Sequence, residues 1–284
     1  MTAPLILTLD CADQPGITAR VTAFLFERGC NVLDAQQFRD STSDRFFMRV
    51  AFDPASHASG DLRASFASLA DQLAMEWKIA AQDRPRRTII MVSKFDHCLV
   101  DLLYRWRTGE LNIDPVAIVS NHPREASIRV EIGEVPFHHI PVTKETKPEA
   151  EAQLRALAEQ CDVELVVLAR YMQIFSDAQS AHFAGRCINI HHSFLPGFKG
   201  ARPYHQAHER GVKIIGATAH FVTADLDEGP IIHQDVERIT HADSASDLVR
   251  KGRDIERRVL AEAVRMFAED RVLMNGSRTV VFRG

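Results

Sequence analysis

The chain has 284 residues, of which 45% are hydrophobic and 25% charged, a composition typical of globular proteins with one or two domains and not of disordered or fibrous ones. Its net charge of −4 without clustered Lys and Arg argues against a nucleic-acid-binding surface, and no apolar stretch is long enough to predict a membrane span. Five scattered cysteines without a C-x-x-C pair, and an N-terminus without a basic leader, predict a cytoplasmic protein with reduced thiols.

The first part of the chain predicts the element order βαββαβ. Strands are expected at 5–10, 31–38, 45–52 and 77–82, and helices from Ile17 and over about 60–75. The polar run DSTSD predicts a hairpin between the second and third strands, and Gly29 is placed to cap the first helix at its C-terminal end. This order predicts a ferredoxin-like unit over residues 1–83.

The loop Asp13-Gln14-Pro15-Gly16 joins the first strand to the first helix, and Gly16 can adopt a positive φ that lets the backbone approach a ligand. With this loop in a βαββαβ unit, residues 1–83 resemble the ACT regulatory domain. The resemblance implies a small effector, usually an amino acid, and a homo-oligomer with an even number of subunits, a dimer or tetramer. The candidate effector contacts are Asp13, Gln14, Gly16 and Asn31. The alternative is an ordinary turn in a structural or dimerisation module.

After a charged linker at 84–87, strands and helices alternate over residues 88–284. Strands are expected at 88–93, 115–120, 137–142, 164–169, 187–191 and from 217 to about 223, and helices at 97–107, 148–160 and 244–269. This alternation predicts a Rossmann-like α/β domain, with a mostly parallel sheet covered by helices on both faces. Ser244 and Asp247 resemble a capping box at the start of the last helix.

Polar side chains gather where the strand CINIH, residues 187–191, comes to its end. Ligands of open α/β sheets bind beyond the carboxyl ends of the strands. Side-chain alternation sends Asn189 and His191 to one face and is expected to send His192 to the other. A second segment, 217–232, is expected to present Asp227 on the turn LDEG at the same rim.

An amide, an imidazole and a carboxylate are the groups that acyl transfer from a formamide requires. Asn189 can donate a hydrogen bond to the developing oxyanion. His191 can stabilise that anion or shuttle a proton. Asp227 can accept a proton from the nucleophile and hold the imidazole in position, as in a hydrolase triad with an exogenous nucleophile. These three residues are therefore the predicted catalytic groups.

The pattern N-I-H-x-S-x-L-P followed by H-F-V-x-x-x-L-D-x-G-P-I-I is long and specific. On this pattern residues 88–284 resemble the formyltransferase fold that uses 10-formyltetrahydrofolate, and its catalytic Asn, His and Asp carry over to Asn189, His191 and Asp227. The resemblance implies folate contacts from the segments 169–176 and 224–228. The implied contacts are Met172, Gln173, Ile174, Phe175, Ala224, Leu226 and Glu228. For Met172, Ile174 and Phe175 the alternative is core packing.

The acceptor of the formyl group is expected to be water. Transferases of this fold that formylate glycinamide ribonucleotide have a G-x-G-S-N loop whose backbone amides bind the acceptor's phosphate. Here Phe95, Asp96 and His97 replace it. Together with the first domain, the chain resembles the formyltetrahydrofolate deformylase family. This implies a hydrolase acting on a linear amide that needs no cofactor, adjusts the one-carbon folate pool and supplies formate for purine synthesis.

Three alternatives stay open. One is a folate-dependent formyltransferase with an unidentified acceptor, and another is a catalytically silent amino-acid sensor. The third is a metalloenzyme, although the spacing of the histidines matches neither H-E-x-x-H nor a Cys/His cluster, so no metal site is predicted. The histidines concerned are His191, His192, His205, His208, His220 and His233. Leu195, Pro196 and the 198–204 loop are expected to cover the cleft, and Lys199, Arg202, Tyr204 and His205 to shape a lid or a subunit contact.

Overall fold

The computed structural model describes residues 3–54, 62–128, 131–197 and 203–283. Its first unit begins with β1 (Leu5–Ala12), α1 (Ile17–Glu27), β2 (Asn31–Asp40), β3 (Arg45–Asp53), α2 (Leu62–Gln72) and β4 (Glu76–Ala81). The strands form an antiparallel sheet in the order β2-β3-β1-β4, as a ferredoxin-like unit requires. Asp40 pairs with Arg45 at the predicted hairpin, and Gly29 takes a φ of 69° after α1.

The second unit alternates strands and helices. Its elements are β5 (Arg86–Val92), α3 (His97–Arg107), β6 (Ile113–Ser120), α4 (Arg124–Ser127), β7 (Phe137–His139), α5 (Lys147–Gln160), β8 (Leu165–Leu168), α6 (Asp177–His182), β9 (Cys187–His191), α7 (Pro203–Glu209), β10 (Ile214–Phe221), β11 (Ile231–Arg238) and α8 (Ala245–Ala268). The short helices α4 and α6 were not predicted, because fewer than two full turns give no readable period. Strand β11 was also missed.

The seven strands of the second unit lie in the order β11-β10-β9-β8-β5-β6-β7. The five strands β7, β6, β5, β8 and β9 are parallel to one another, whereas β10 pairs antiparallel with β9 and β11 pairs antiparallel with β10. The prediction of a mostly parallel α/β sheet is therefore confirmed. At the start of α8, Ser244 and Asp247 exchange backbone-to-side-chain hydrogen bonds of 3.0 and 3.2 Å, which confirms the capping box.

Two short strands, β12 (Val272–Asn275) and β13 (Arg278–Val281), form a hairpin at the C-terminus. By its internal contacts, the first unit comprises Met1–Arg84, Glu269–Asn275 and Thr279–Gly284. The second unit comprises Pro85–Ala268 and Gly276–Arg278. The sequence prediction assigned all of 88–284 to the second domain. The difference arises because apolar side chains of the hairpin pack on Phe47 of β3, a contact that no local pattern reveals.

Within the described ranges, no helix has both the length and the apolarity that crossing a membrane requires.

Candidate active site

A cleft of about 690 Å³ lies where β8 and β9 end, at the shared carboxyl edge of two parallel strands. Residues 170–175 follow β8 and form one wall, and residues 222–227 form another. The backbone of the first wall is held by Ser93, whose Oγ accepts a 2.9 Å hydrogen bond from the backbone N–H of Met172. The cleft therefore occupies the position predicted from the strand topology.

The three predicted catalytic side chains meet in this cleft. His191 Nδ1 lies 3.2 Å from Asp227 Oδ1, and Asn189 lines the same cavity. His191 is 5% exposed, and its Nε2 has no hydrogen-bond partner among the described residues. Because the carboxylate can only accept at Nδ1, the neutral ring carries its hydrogen there and leaves the Nε2 lone pair free.

A fourth residue of the site is His220, for which the sequence pattern predicts no functional role. It lies opposite Asn189 in the β9–β10 register, with Nε2 3.2 Å from Asn189 Nδ2. Its Nδ1 is 2.9 Å from the Phe221 carbonyl oxygen, which only accepts, so Nδ1 carries the hydrogen. Nε2 then accepts one amide hydrogen of Asn189 and leaves the other for an oxyanion.

Asp227 reaches His191 by an unexpected route. Strand β10 runs antiparallel to β9 and leads away from the rim, so Val222 donates a hydrogen bond to the Cys187 carbonyl at the beginning of β9. The following loop then turns back toward His191. Asp227 takes a φ of 58°, and a Cβ on Gly229 would lie 1.8 Å from the Phe221 oxygen. Only glycine fits this return.

The local charges keep Asp227 ionised. Burial opposes the charged form, but the hydrogen bond from His191 and the charge that the two nearby imidazoles can carry outweigh it and hold the pKa of Asp227 well below its ordinary range. The neighbouring His192 remains neutral, because burial and the charge of Arg170 lower its pKa to about 4.

His192 does not point to the opposite face as predicted. Its ring stacks on that of His191 with centroids 5.0 Å apart, and both rings line the cleft. The strand ends at His191, so the alternation rule no longer applies to the next residue.

Six of the seven predicted folate contacts line the cleft. They are Met172, Gln173, Ile174, Phe175, Ala224 and Leu226. The seventh predicted contact, Glu228, does not line the cleft. Met172, Ile174 and Leu226 are exposed apolar side chains, which argues against the core-packing alternative for Met172 and Ile174.

The predicted cover of the cleft is only partly described. Residues 198–202, which include Lys199 and Arg202, lie outside the described residues. Leu195 is buried and donates a backbone hydrogen bond to Thr218 Oγ1, and neither Leu195 nor Pro196 lines the cleft. Tyr204 and His205, at the start of α7, do line it.

Comparisons with known proteins identify the family. A family model described as formyl transferase matches residues 86–264, and one described as ACT domain matches residues 5–57. A formyltetrahydrofolate deformylase of Corynebacterium sp. strain P-1 is 49% identical over 280 residues, which is 98% of each chain. The chain belongs to the formyltetrahydrofolate deformylase family.

Solved structures agree with this assignment. A formyltetrahydrofolate deformylase from Burkholderia mallei is 50% identical with a TM-score of 0.94, covering 99% of this chain and 100% of that one. A glycinamide ribonucleotide transformylase from Symbiobacterium toebii is 31% identical with a TM-score of 0.63, but the match covers 70% of this chain and 95% of that one. Nearly the whole chain therefore follows the deformylase architecture, and the predicted family is confirmed.

One group of described residues in this deformylase-family chain could hold a metal ion, namely His97, Cys98 and Glu256, whose ligand atoms lie within 4.8 Å of one another. His97 Nε2 and Glu256 Oε2 already contact each other at 2.8 Å. Burial raises the pKa of Cys98 and so favours the protonated thiol, which is a poor ligand. The donor chemistry favours a hydrogen-bonded network here.

The ACT unit has the predicted effector loop, with Gly16 at a φ of 89° and open space where its Cβ would be. Gln14 is exposed, and the Asp13 carboxylate pairs with Arg39. Asn31 does not join them within one chain. Asn31 is the first residue of β2, whereas the loop follows the end of β1 and so lies near Asp40, the last residue of β2. At about 3.3 Å per residue, Asn31 and the loop are roughly 30 Å apart. Parallel β1 and β2 therefore place the two at opposite ends of the sheet.

Proposed function

We propose that this chain hydrolyses 10-formyltetrahydrofolate to formate and tetrahydrofolate, with water as the formyl acceptor. The observation that carries the proposal is the convergence of Asn189, His191 and Asp227 at one cleft, in a chain of the deformylase family. The exposed apolar residues of the cleft walls suit a pterin and an aminobenzoyl ring.

In the proposed mechanism, His191 is the base and Asp227 orients it. A carboxylate with a strongly lowered pKa is a weak base, so the Asp227 carboxylate serves to hold the imidazole and to stabilise the imidazolium. The free Nε2 of His191 removes a proton from water as the water oxygen bonds to the formyl carbon. The amide of Asn189 donates a hydrogen bond to the resulting oxyanion.

The tetrahedral anion then collapses. The bond between the formyl carbon and N10 breaks, and the Nε2 proton of His191 passes to N10, which gives tetrahydrofolate. The released formic acid loses its proton to solvent as formate. All of these steps use groups of this chain, and 10-formyltetrahydrofolate is a substrate and not a resident cofactor.

The test is formate release from 10-formyltetrahydrofolate by the purified chain with no amine acceptor added. Hydrolysis predicts formate and tetrahydrofolate in equal amounts. A folate-dependent formyltransferase with an unidentified acceptor remains the alternative, and it predicts no formate until an acceptor is supplied.

We further propose that the activity is regulated by a small amino acid at the loop formed by Asp13, Gln14 and Gly16, in a homo-oligomer with an even number of subunits. Assays with glycine and methionine present test the effector. The five unpaired cysteines suit the cytoplasm, where the enzyme would adjust the one-carbon folate pool and supply formate for purine synthesis.

A further inference from the structure

The cleft contains a second group of side chains that neither the catalytic mechanism nor the folate contacts use. We call it the arginine lobe, and it is formed by Phe95, Arg170, Tyr204, Arg253 and Glu256. His192 connects it to the catalytic residues. One side of the His192 ring stacks on His191, and the ring centroid is 6.4 Å from that of Tyr204.

The lobe contains one firmly held negative charge, the carboxylate of Glu256, which is 1% exposed. Its Oε1 accepts a 2.8 Å hydrogen bond from the Tyr204 hydroxyl, and its Oε2 lies 2.8 Å from His97 Nε2. A Cβ on Gly252 would overlap the Tyr204 ring, so the glycine allows this close packing. Both carboxylate oxygens are therefore already engaged.

The lobe also contains two guanidinium groups, and these are less completely paired. Arg170 is 11% exposed, and its Nε lies 3.4 Å from Glu256 Oε2. Its Nη1 is buried and has no hydrogen-bond partner among the described residues. The guanidinium groups of Arg170 and Arg253 lie 6.0 and 5.7 Å from the Phe95 ring centroid. The lobe thus contains two positive charges and one carboxylate.

This arrangement is unlike a structural ion pair. Buried N–H groups are almost always hydrogen-bonded, and an orphaned one costs free energy. In addition, Arg170 takes a φ of 67°, a left-handed conformation that is unfavourable for a side chain this large. A guanidinium held in a strained backbone, with an unused donor and an excess of positive charge around it, is equipped to bind a carboxylate.

We propose that the arginine lobe is a carboxylate site that receives the product formate after hydrolysis. This inference rests on the proposed function. Once the formic acid has lost its proton, the ionised Asp227 repels the resulting formate, whereas the lobe offers a net positive charge in the same cleft. The Arg170 guanidinium donates to one formate oxygen, and the bound anion balances the second guanidinium.

Product inhibition by sodium formate tests the site, with chloride replacing formate at constant ionic strength. The decisive variant combines Arg170→Gln with Glu256→Gln, so that the buried charges are removed as a balanced pair. It is expected to raise the inhibition constant for formate roughly tenfold or more, while KM for the folate changes less than about twofold. Arg253→Gln removes an exposed side chain, leaves the fold intact and is expected to weaken inhibition about threefold or more.

Arg250→Gln is the matched control. It lies on the same helix, is exposed, pairs with Asp247 and changes the net charge equally without lining the cleft. Its formate inhibition is expected to equal that of the wild type, and an equal rise in this control would overturn the site. The proposed site would also be overturned if formate inhibited the wild-type chain no more strongly than chloride does.

The glutamate carboxylates of the folate substrate share this chemistry, and the same variants distinguish them. A rise in KM for the folate with unchanged formate inhibition would assign the guanidinium groups to the substrate tail and overturn the proposal. Saturation-transfer NMR on formate without folate measures binding directly. Formate binding that is weakened about threefold or more in Arg253→Gln, but not in Arg250→Gln, supports the site even if the chain does not hydrolyse the folate. The failure of this proposal and the failure of the proposed function can therefore be told apart.

Discussion

Replacement of Asp227 by Asn tests the central contact of the site. The change keeps the size of the side chain and removes its charge, and an amide N–H in place of Oδ1 would favour the wrong tautomer of His191. At the observed 3.2 Å separation and an effective dielectric constant of about 20, the attraction between the carboxylate and an imidazolium is about 5 kcal/mol. Its loss corresponds to a fall in kcat of roughly 10³- to 10⁴-fold.

The assay follows tetrahydrofolate formation spectroscopically and formate by a coupled enzyme. Binding of a non-hydrolysable 10-formyl analogue, measured by calorimetry, is expected to be unchanged, because Asp227 acts through His191. Asp254→Asn is the matched control, since it removes the same charge from an ion pair with Arg257 outside the cleft. If Asp227→Asn kept more than about a tenth of the wild-type turnover, Asp227 could not be the partner of a catalytic imidazolium.

Three further results are expected. Gly229→Ala places a Cβ 1.8 Å from the Phe221 oxygen and must displace the loop that carries the catalytic carboxylate, so kcat should fall on the order of 100-fold; near-normal kcat would contradict the tight return of the loop. His220→Leu removes the acceptor that orients the catalytic amide, and kcat should fall about 10- to 100-fold at unchanged KM, with partial recovery in His220→Gln. The pKa of His192 is lowered to about 4 in the folded chain, whereas the unfolded chain binds this proton from about pH 6.5 downward. Because the unfolded state binds more protons in this window, the stability of the fold decreases as the pH falls through it. In His192→Gln this loss, on the order of 2 kcal/mol by pH 5, should disappear from urea unfolding curves, and equal pH dependence in both proteins would argue against it.

Most of the strands and the longer helices could be predicted because each depends on neighbouring residues. The apolar runs, the turn DSTSD, Gly29 and the capping box of Ser244 and Asp247 all act within a few positions of the chain. The same holds for Asn189 and His191, whose shared face follows from the two-residue period of one strand. Local stereochemistry was sufficient for these features.

The sequence by itself therefore determined the order of most elements, the family and the positions of three polar groups in the motif. Only the tertiary structure decided which distant groups meet: His220 beside Asn189, the return of Asp227 after an antiparallel strand, the separation of Asn31 from the effector loop, and the C-terminal hairpin on β3. The physical reason is that periodicity and turn residues report the local backbone, whereas the order and direction of strands in a sheet are fixed by burial and pairing between segments far apart in the chain.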